Sequence, residues 1–154
     1  MTTDQTIDVA IIGGGPAGYA AAIYAARANL TTTVFEQGMS GGQIATSNEI
    51  ENYPGIPLLS GAELGERFQQ HAEGLGAQVE WSMVTGVDYD ADAAQFTIHH
   101  DMGDTAAKSV IACMGATPRP AGFVGEDTYR GRGVSYCATC DGMFFRGKQV
   151  FVIG

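Results

Sequence analysis

A short apolar strand that runs into a glycine cluster constrains this chain more than any other feature. Ile7–Ile12 is rich in Ile and Val and stops at three consecutive glycines, as buried parallel strands do. Pro16 suits the first turn of a helix, and Ala17–Ala28 consists largely of strong helix formers. The β-branched segment Thr31–Phe35 predicts a second strand. Together these segments predict a βαβ unit and place the chain in the α/β class.

The glycines that join the first strand to the helix follow the G-x-G-x-x-G pattern of dinucleotide-binding folds. Gly13 permits the tight turn, Gly15 lets a pyrophosphate approach the backbone, and Gly18 brings the helix close to the strand. Free N–H groups at the start of the helix then face the phosphates. The pattern follows a predicted strand and opens a predicted helix, so it predicts a dinucleotide site, although spacing alone does not distinguish FAD from NAD. A glycine-rich turn without a ligand is the alternative.

An acidic residue at the end of the second predicted strand supports the same interpretation. Glu36 can accept hydrogen bonds from a ribose diol at that position. The next segment, Gly38–Pro57, is rich in Gly, Ser, Asn and Pro and has no clear period, which predicts a loop. A loop of this length in a compact domain is usually functional, so we expect this one to be functional.

The middle of the chain predicts one helix and a group of strands. Ser60 can cap the helix, and Glu63 stands at the capping-box position. Beyond the helix, β-prone stretches alternate with acidic turns, and these stretches are Val79–Val87, Gln95–His99 and Ser109–Ala112. The alternation predicts a small antiparallel excursion before the chain returns to the main sheet.

Two of the three cysteines, Cys137 and Cys140, stand at C-x-x-C spacing. Two thiols at this spacing are close enough to form a disulfide, and a helix N-terminus favours the first thiolate. Thiol–disulfide exchange is therefore the predicted chemistry. A zinc site, the alternative, needs further ligands, and the remaining candidates lack zinc-site spacing: Cys113, His71, His99 and His100. Cys113 falls in a predicted strand, so we expect it to be a packing residue.

The residues after the cysteine pair allow two interpretations each. Asp141 can exchange a proton with a departing thiolate or a flavin, and a carboxylate that only interacts with a helix dipole is equally consistent with the sequence. Met143, Phe144 and Phe145 are either core residues or a surface on which a partner lands.

The charge balance limits the partners. The chain has 17 acidic and 8 basic residues and a formal net charge of −9, so it lacks the electrostatic footprint of a nucleic-acid binder. No segment approaches the roughly 20 apolar residues of a membrane span, and we expect a soluble, cytoplasmic protein. Residues 119–148 contain five of the basic and only three of the acidic side chains. That cluster predicts either a solvated loop or a dock for an acidic partner protein.

The last third of the chain predicts a boundary and then an unfinished unit. Proline and glycine are dense over Gly115–Gly133, and we expect a linker near Thr117–Ala121. Gln149–Ile153 predicts another short strand, which runs into Gly154 as Ile7–Ile12 runs into its glycines. A lone terminal parallel strand lacks neighbours, so we expect the chain to be a fragment.

Four motifs occur in the order typical of bacterial-type thioredoxin reductases: Gly13–Gly18, Gly41–Gln43, Glu51–Gly55 and Gly133–Gly142. The chain resembles the N-terminal portion of these low-molecular-weight enzymes over essentially its whole length. The last motif, which contains the cysteine pair, is highly specific, whereas many flavoproteins share the first. Met114 departs from the family pattern, which usually has Thr in this turn.

The resemblance implies a flavoenzyme with two dinucleotide-binding domains. Residues 1–117 would form the first part of a Rossmann-like FAD-binding domain with a small antiparallel β excursion, and residues 118–154 the crossing and the start of an NADPH-binding domain. Glu36 would contact the adenosine ribose. The implied set of FAD-binding residues is Gly13, Gly15, Pro16, Ala17, Gly18, Glu36, Gln37, Gly41, Gly42, Gln43, Asn52, Val84 and Gly115.

The resemblance also implies a reaction. Electrons would pass from NADPH to FAD, then to the cysteine pair and on to a thioredoxin, in a homodimer. Cys140 would face the flavin, Cys137 would attack the protein disulfide, and Asp141 would be the acid/base. The alternatives are a peroxiredoxin reductase, a ferredoxin-linked reductase, a dithiol oxidase, or a truncated binding module without turnover.

Overall fold

The structure, a computed structural model, describes residues 6–153; the side chain of Cys140 also lies outside the described part. The chain forms two compact units, of which the first ends at Gly115 and the second begins at Ala116.

The first unit contains six strands, two helices and a 3₁₀ turn. In chain order these are β1 (Ile7–Ile12), α1 (Pro16–Arg27), β2 (Thr32–Glu36), the 3₁₀ turn (Gly42–Thr46), α2 (Gly61–Gly74), β3 (Gln78–Trp81), β4 (Val84–Asp90), β5 (Gln95–His100) and β6 (Gly103–Ala112). The predicted βαβ unit is confirmed by β1, α1 and β2.

All six strands form one sheet in the order β3-β2-β1-β6-β5-β4. The strands β2, β1 and β6 are parallel neighbours, and Ile12 pairs with both Phe35 and Ala112. Their carboxyl ends therefore meet at one edge of the sheet, where α/β proteins usually bind ligands. The fold is a mixed, Rossmann-like α/β fold, as the sequence predicts.

The antiparallel excursion is part of the same sheet. The strands β4, β5 and β6 are antiparallel neighbours, and β6 also pairs in parallel with β1. The single β-prone stretch expected over Val79–Val87 is wrong, because the structure divides it into β3 and β4. The division follows from backbone pairing: β3 pairs in parallel with β2, and the Ser82 N–H then donates to the Glu36 carbonyl at 3.1 Å, beyond which the chain leaves β2.

The sheet carries a small apolar core on each face, because alternate residues of a strand point to opposite faces. On the helix side, the core consists of Val9, Ile11, Tyr19, Ala22, Ala25, Val34, Ala72 and Ala77. On the other side, it consists of Ala10, Phe35, Ile98 and Ala107. The predicted cap of α2 is confirmed, since the Ser60 hydroxyl and the Glu63 backbone and side chain form a complete capping box.

The second unit has only short elements. These are α3 (Glu126–Tyr129), α4 (Ala138–Asp141) and a 3₁₀ turn (Gly142–Phe145). The strand predicted at Gln149–Ile153 is wrong, because these residues form no strand and Val152 is 94% exposed. An extended segment becomes a strand only when a neighbouring strand accepts its hydrogen bonds. Within residues 6–153, no helix is long and apolar enough to cross a bilayer.

Candidate functional site

The glycine fingerprint lies at the edge where the three parallel strands end. The Gly13 N–H donates to the Phe35 carbonyl at 2.8 Å, and the Cys113 N–H donates to the Ile12 carbonyl at 2.8 Å. The turn after β1 is thereby held between the ends of β2 and β6. Gly115, another predicted cofactor contact, follows Cys113 by two residues.

Two of the fingerprint glycines are required by the protein itself. A Cβ on Gly18 would lie 1.9 Å from the Gly13 carbonyl oxygen, and a Cβ on Gly13 would lie 2.4 Å from the Cys113 carbonyl oxygen. Gly13 also has a φ of 104°, which disfavours residues with a side chain. Both glycines let the backbone of α1, β1 and β6 pack together without a ligand.

Gly15 has no such constraint. Its φ and ψ of −85° and −174° suit any residue, and the nearest protein atom to a Cβ there, the Gly41 carbonyl oxygen, is 4.0 Å away. Gly15 is the N-cap of α1, no side chain caps this helix, and Pro16 and Ala17 begin it. The start of α1 therefore borders open space with its first N–H groups unengaged by a cap. This arrangement fits the pyrophosphate of a dinucleotide.

Glu36 is buried at the end of β2, beside the fingerprint. Its carboxylate accepts hydrogen bonds from the Gly14 N–H at 2.6 Å and from the Gly38 N–H at 2.8 Å. A carboxylate has about four acceptor positions, so two stay available for a ribose diol. The two backbone contacts fix the orientation of the carboxylate before any ligand binds.

The loop after β2 brings further predicted residues to the fingerprint. The Gly41 N–H donates to the Gly14 carbonyl at 2.8 Å, and a Cβ on Gly42 would lie 3.5 Å from the Gly15 Cα atom. Gln43 follows at the start of the 3₁₀ turn and is exposed. The structure thus brings the Gly41–Gln43 motif and the first fingerprint into contact.

The remaining predicted contacts of this unit have different positions. Val84 begins β4, two residues after the Ser82 N–H that donates to the Glu36 carbonyl, so it lies near the end of β2. Gln37 is exposed next to Glu36. Asn52 is exposed in a loop, and the adjacent Tyr53 packs on Phe68 of α2 with ring centroids 5.4 Å apart.

The cysteine motif lies in the second unit. Cys137 is disulfide-bonded and precedes α4, and its carbonyl accepts a hydrogen bond from the Asp141 N–H at 3.0 Å. The side chain predicted to face the flavin, that of Cys140, lies outside the described residues. Cys113 is a free thiol packed against the helix-side core of the first unit, and burial raises the pKa of this thiol, which suits a packing role.

A serine links the two predicted reactive residues. The Ser135 hydroxyl accepts a hydrogen bond from the Cys137 N–H at 3.1 Å and donates to the Asp141 carboxylate at 2.6 Å. Asp141 is half-buried. The Ser135 hydroxyl, before the cysteine pair, therefore holds the Asp141 carboxylate, which follows the pair.

A buried glutamate organises the rest of this unit. Glu126 is 5% exposed and accepts hydrogen bonds from the N–H groups of Ala121 and Gly122 at 2.8 and 2.6 Å and from the Tyr136 hydroxyl. These hydrogen bonds, above all that from the tyrosine hydroxyl, lower the pKa of Glu126. The Arg130 guanidinium lies 4.6 Å from the centre of the Tyr136 ring. The residue before Cys137 is thus tied to the segment at 121–122.

The apolar residues after the cysteine motif are mostly exposed. Met143 and Phe144 are 76% and 75% exposed, whereas Phe145 is half-buried. Of the two alternatives that the sequence leaves open, the structure favours a surface for the first two residues.

Neither Ser135 nor Glu126 is predicted from the sequence to be a functional residue. A serine two residues before Cys137 carried one usable signal, because Ser and Thr often accept a hydrogen bond from a nearby backbone N–H at the start of a helix. Glu126 carried no such signal, since its burial depends on a tyrosine ten positions away.

Comparison with known proteins identifies relatives of the whole chain. The model of the pyridine nucleotide-disulphide oxidoreductase family matches residues 7–154. A thioredoxin reductase of Bacillus subtilis is 41% identical over 100% of this chain and 48% of its own length, and one of Helicobacter pylori is 45% identical over 96% and 48%. A solved thioredoxin reductase of Streptococcus pyogenes superposes with a TM-score of 0.79 at 40% identity, over 93% of this chain and 46% of that one.

These matches confirm the resemblance to the N-terminal portion of thioredoxin reductases. The chain spans about half the length of the curated relatives it matches. Since the family model covers nearly all of the sequence, this chain belongs to the pyridine nucleotide-disulphide oxidoreductase family.

Proposed function

We propose that this chain is part of an FAD-dependent thioredoxin-disulfide reductase that takes electrons from NADPH. The observation that carries the proposal is the pairing, in one chain of this family, of an open fingerprint at Gly15 with a disulfide-bonded Cys137. The first feature fits a dinucleotide, and the second is the oxidised form of a dithiol that can be reduced and reoxidised.

In this proposal the first unit holds FAD. The pyrophosphate lies at Gly15 and the start of α1, and Glu36 accepts hydrogen bonds from the adenosine ribose. The proposed binding residues are Gly13, Gly15, Pro16, Ala17, Gly18, Glu36, Gln37, Gly41, Gly42, Gln43, Asn52, Val84 and Gly115. Bound flavin supplies a reversible two-electron carrier. The first unit belongs to the FAD-binding domain, and the second unit to the crossing and the start of an NADPH-binding domain.

The cysteine pair carries the electrons to the protein substrate. The disulfide takes up two electrons and two protons, so that its S–S bond breaks and two thiols form. Cys137 then attacks a disulfide of the partner, a mixed disulfide forms, and Cys140 displaces the partner's dithiol as the internal disulfide closes again. Asp141 gives a proton to the departing thiolate in one direction and takes it back in the other.

The partner in this proposal is a thioredoxin, with which the relatives' names agree. Exposed Met143 and Phe144 stand within seven residues of Cys137 and offer an apolar landing surface. The basic cluster of residues 119–148 favours an acidic partner. The proposal includes a homodimer and a cytoplasmic location, where a reducing environment lets the pair cycle between thiols and disulfide.

FAD binding is tested with two alanine substitutions. Gly15→Ala is expected to leave thermal unfolding unchanged, because the nearest atom to a Cβ there outside the neighbouring residues is the Gly41 carbonyl oxygen at 4.0 Å. It is expected to weaken FAD affinity by about tenfold or more, because the methyl group occupies the phosphate position. Fluorescence titration with FAD measures the affinity.

Gly18→Ala is the matched control for this experiment. Its Cβ would lie 1.9 Å from the Gly13 carbonyl oxygen, so it is expected to destabilise the apo chain by about 2 kcal/mol. If Gly15→Ala binds FAD as tightly as the natural chain, the fingerprint does not hold the cofactor.

Turnover is tested with the visible spectrum of the FAD-loaded protein in its full-length context. Flavin bands that bleach with NADPH and return with a thioredoxin disulfide support the proposed reaction. Bleaching with reduced ferredoxin but not with NADPH would show that ferredoxin, not NADPH, is the electron donor. Flavin bands that return only with another acceptor would show that thioredoxin is not the substrate.

A further inference from the structure

We propose that Ser135 is a positioning residue that holds Asp141 and the Cys137 backbone in one arrangement for disulfide chemistry. The inference rests on the proposed function, because it assigns work to Asp141 at the disulfide. Ser135 itself does not exchange a proton with the sulfur atoms.

The geometry gives the hydroxyl a defined direction. Ser135 Oγ lies 2.6 Å from Asp141 Oδ2 and 3.3 Å from the Cys137 carbonyl oxygen. A hydroxyl has one proton to donate, and a carboxylate at the shorter distance is the stronger acceptor. The proton therefore points at Asp141, while a lone pair of the same oxygen accepts the Cys137 N–H at 3.1 Å.

The linkage closes a ring around the cysteine motif. The Asp141 N–H donates to the Cys137 carbonyl at 3.0 Å, and Ser135 joins the Cys137 N–H to the Asp141 side chain. Hydrogen bonds thus fix both the backbone and the carboxylate of Asp141 relative to Cys137. Without the hydroxyl, the carboxylate keeps its backbone position but loses the contact that fixes its side-chain rotamer.

A hydroxyl suits a carboxyl group that changes its protonation state. It donates to the carboxylate, and it accepts from the carboxylic acid after a small rotation. Ser135 can therefore keep hold of Asp141 before and after the proton moves. An ammonium at position 135 would not accept from the acid in this way, because the NH₃⁺ group only donates.

The test follows reduction of the disulfide by dithiothreitol, in the 154-residue chain and without FAD. A dithiothreitol thiolate attacks one sulfur of the protein disulfide, the S–S bond breaks, and the departing thiolate takes up a proton. The second dithiothreitol thiol then closes the reagent's ring and leaves two protein thiols. Acid quenching, alkylation and mass spectrometry give the rate constant, and circular dichroism verifies that each variant is folded.

A double-mutant cycle separates positioning from general structure. Ser135→Ala is expected to slow reduction about threefold in the otherwise natural chain, and by less than about 1.3-fold in an Asp141→Asn chain, because an amide at position 141 exchanges no proton with the sulfur and its orientation no longer affects the rate. Ser135→Thr keeps the hydroxyl and is expected to react at the natural rate. Thr128→Ala, which removes an exposed hydroxyl from α3, is the matched control and is expected to have no effect.

Each contrary result has a defined meaning. The positioning role would be overturned if Ser135→Ala lowered the rate of reduction equally in the natural and the Asp141→Asn chains. A Ser135→Thr variant as slow as the alanine variant would overturn it too, even if the alanine variant folds poorly. An Asp141→Asn chain that reacts at the natural rate would remove the role of Asp141 and the inference with it. The FAD titration with Gly15→Ala is independent of both, so failure of the cofactor proposal is recognised separately.

Discussion

His99 links the three antiparallel strands through both nitrogens of its ring. It lies on β5, and its Nε2 and Nδ1 atoms are 3.0 and 2.8 Å from carboxylate oxygens of Asp88 on β4 and Asp104 on β6. One imidazolium thus joins three neighbouring strands. The hydrogen bonds to Asp104 and Asp88 raise the pKa of His99 above its ordinary value of 6.5.

The raised pKa gives a pH dependence with a definite sign. The folded state binds the His99 proton more tightly than the unfolded state does. The stabilisation that this proton gives the folded state is therefore complete below pH 6.5 and is lost as the pH rises through the higher folded-state pKa. We expect the free energy of unfolding to decrease with rising pH between about pH 6 and 8. His99→Gln is expected to flatten that slope in urea unfolding.

His71→Gln serves as the control for this prediction, because His71 is an exposed residue of α2. Its variant is expected to retain the slope of the natural chain. A His99→Gln chain with an unchanged slope would show that other groups cause the pH dependence.

Among single residues, the glycine fingerprint was more predictable than the contacts around the cysteine motif. Gly13, Gly15 and Gly18 belong to a spacing with a known physical reason for each glycine, and the structure reproduces the two steric reasons. The contacts of Ser135 and Glu126 involve side chains that meet through turns of no regular period. Sequence periodicity carries no information on such contacts.

Among the secondary-structure elements, α2 has the clearest local determinant. Ser60 Oγ accepts the Glu63 N–H at 3.3 Å, and the Glu63 carboxylate accepts the Ser60 N–H at 3.2 Å. Ser60→Ala removes the first contact, and we expect it to lower the free energy of unfolding by about 1 kcal/mol. Ser60→Thr keeps an acceptor and is expected to lose less than half as much. Equal losses in the two variants would mean that the cap hydroxyl is not the cause.

The strands show where element prediction succeeds and fails. Ile7–Ile12 is apolar except at Asp8, because both faces of β1 are covered over Val9–Ile11, and its limits are predicted to the residue. The limits of β3 and β4 depend instead on which strand each one pairs with. Gln149–Ile153 has the composition of a strand but no pairing partner among the described residues. Composition predicts the capacity to be a strand, and neighbours decide the outcome.

For the molecule as a whole, an exposed irregular segment spans the boundary between the two units. Residues 114–124 are all exposed and form neither helix nor strand before the start of α3. We expect a broad-specificity protease such as proteinase K to cut first within residues 114–120, because exposed irregular backbone fits a protease active site. Mass spectrometry of early time points identifies the cuts.

The first unit is expected to survive this cleavage. Its six strands and two apolar cores lie entirely before Gly115. Limited digestion should therefore leave a fragment that unfolds cooperatively and retains the pH dependence of His99. First cuts inside β4, β5 or β6 would contradict the expectation and show that the antiparallel strands open more readily than the connecting segment.

The position of β6 has a consequence for synthesis on the ribosome. This strand pairs with β1 across roughly a hundred residues, and the Cys113 carbonyl that follows it packs against Gly13. The β1–α1–β2 segment therefore emerges long before β6, the second neighbour of β1 in the sheet, has been synthesised. Long-range pairing of this kind folds slowly and leaves strand edges exposed. The nascent chain can complete the packing between Gly13 and Cys113 only after Cys113 has left the exit tunnel, so the proposed cofactor site is not fully formed before that stage.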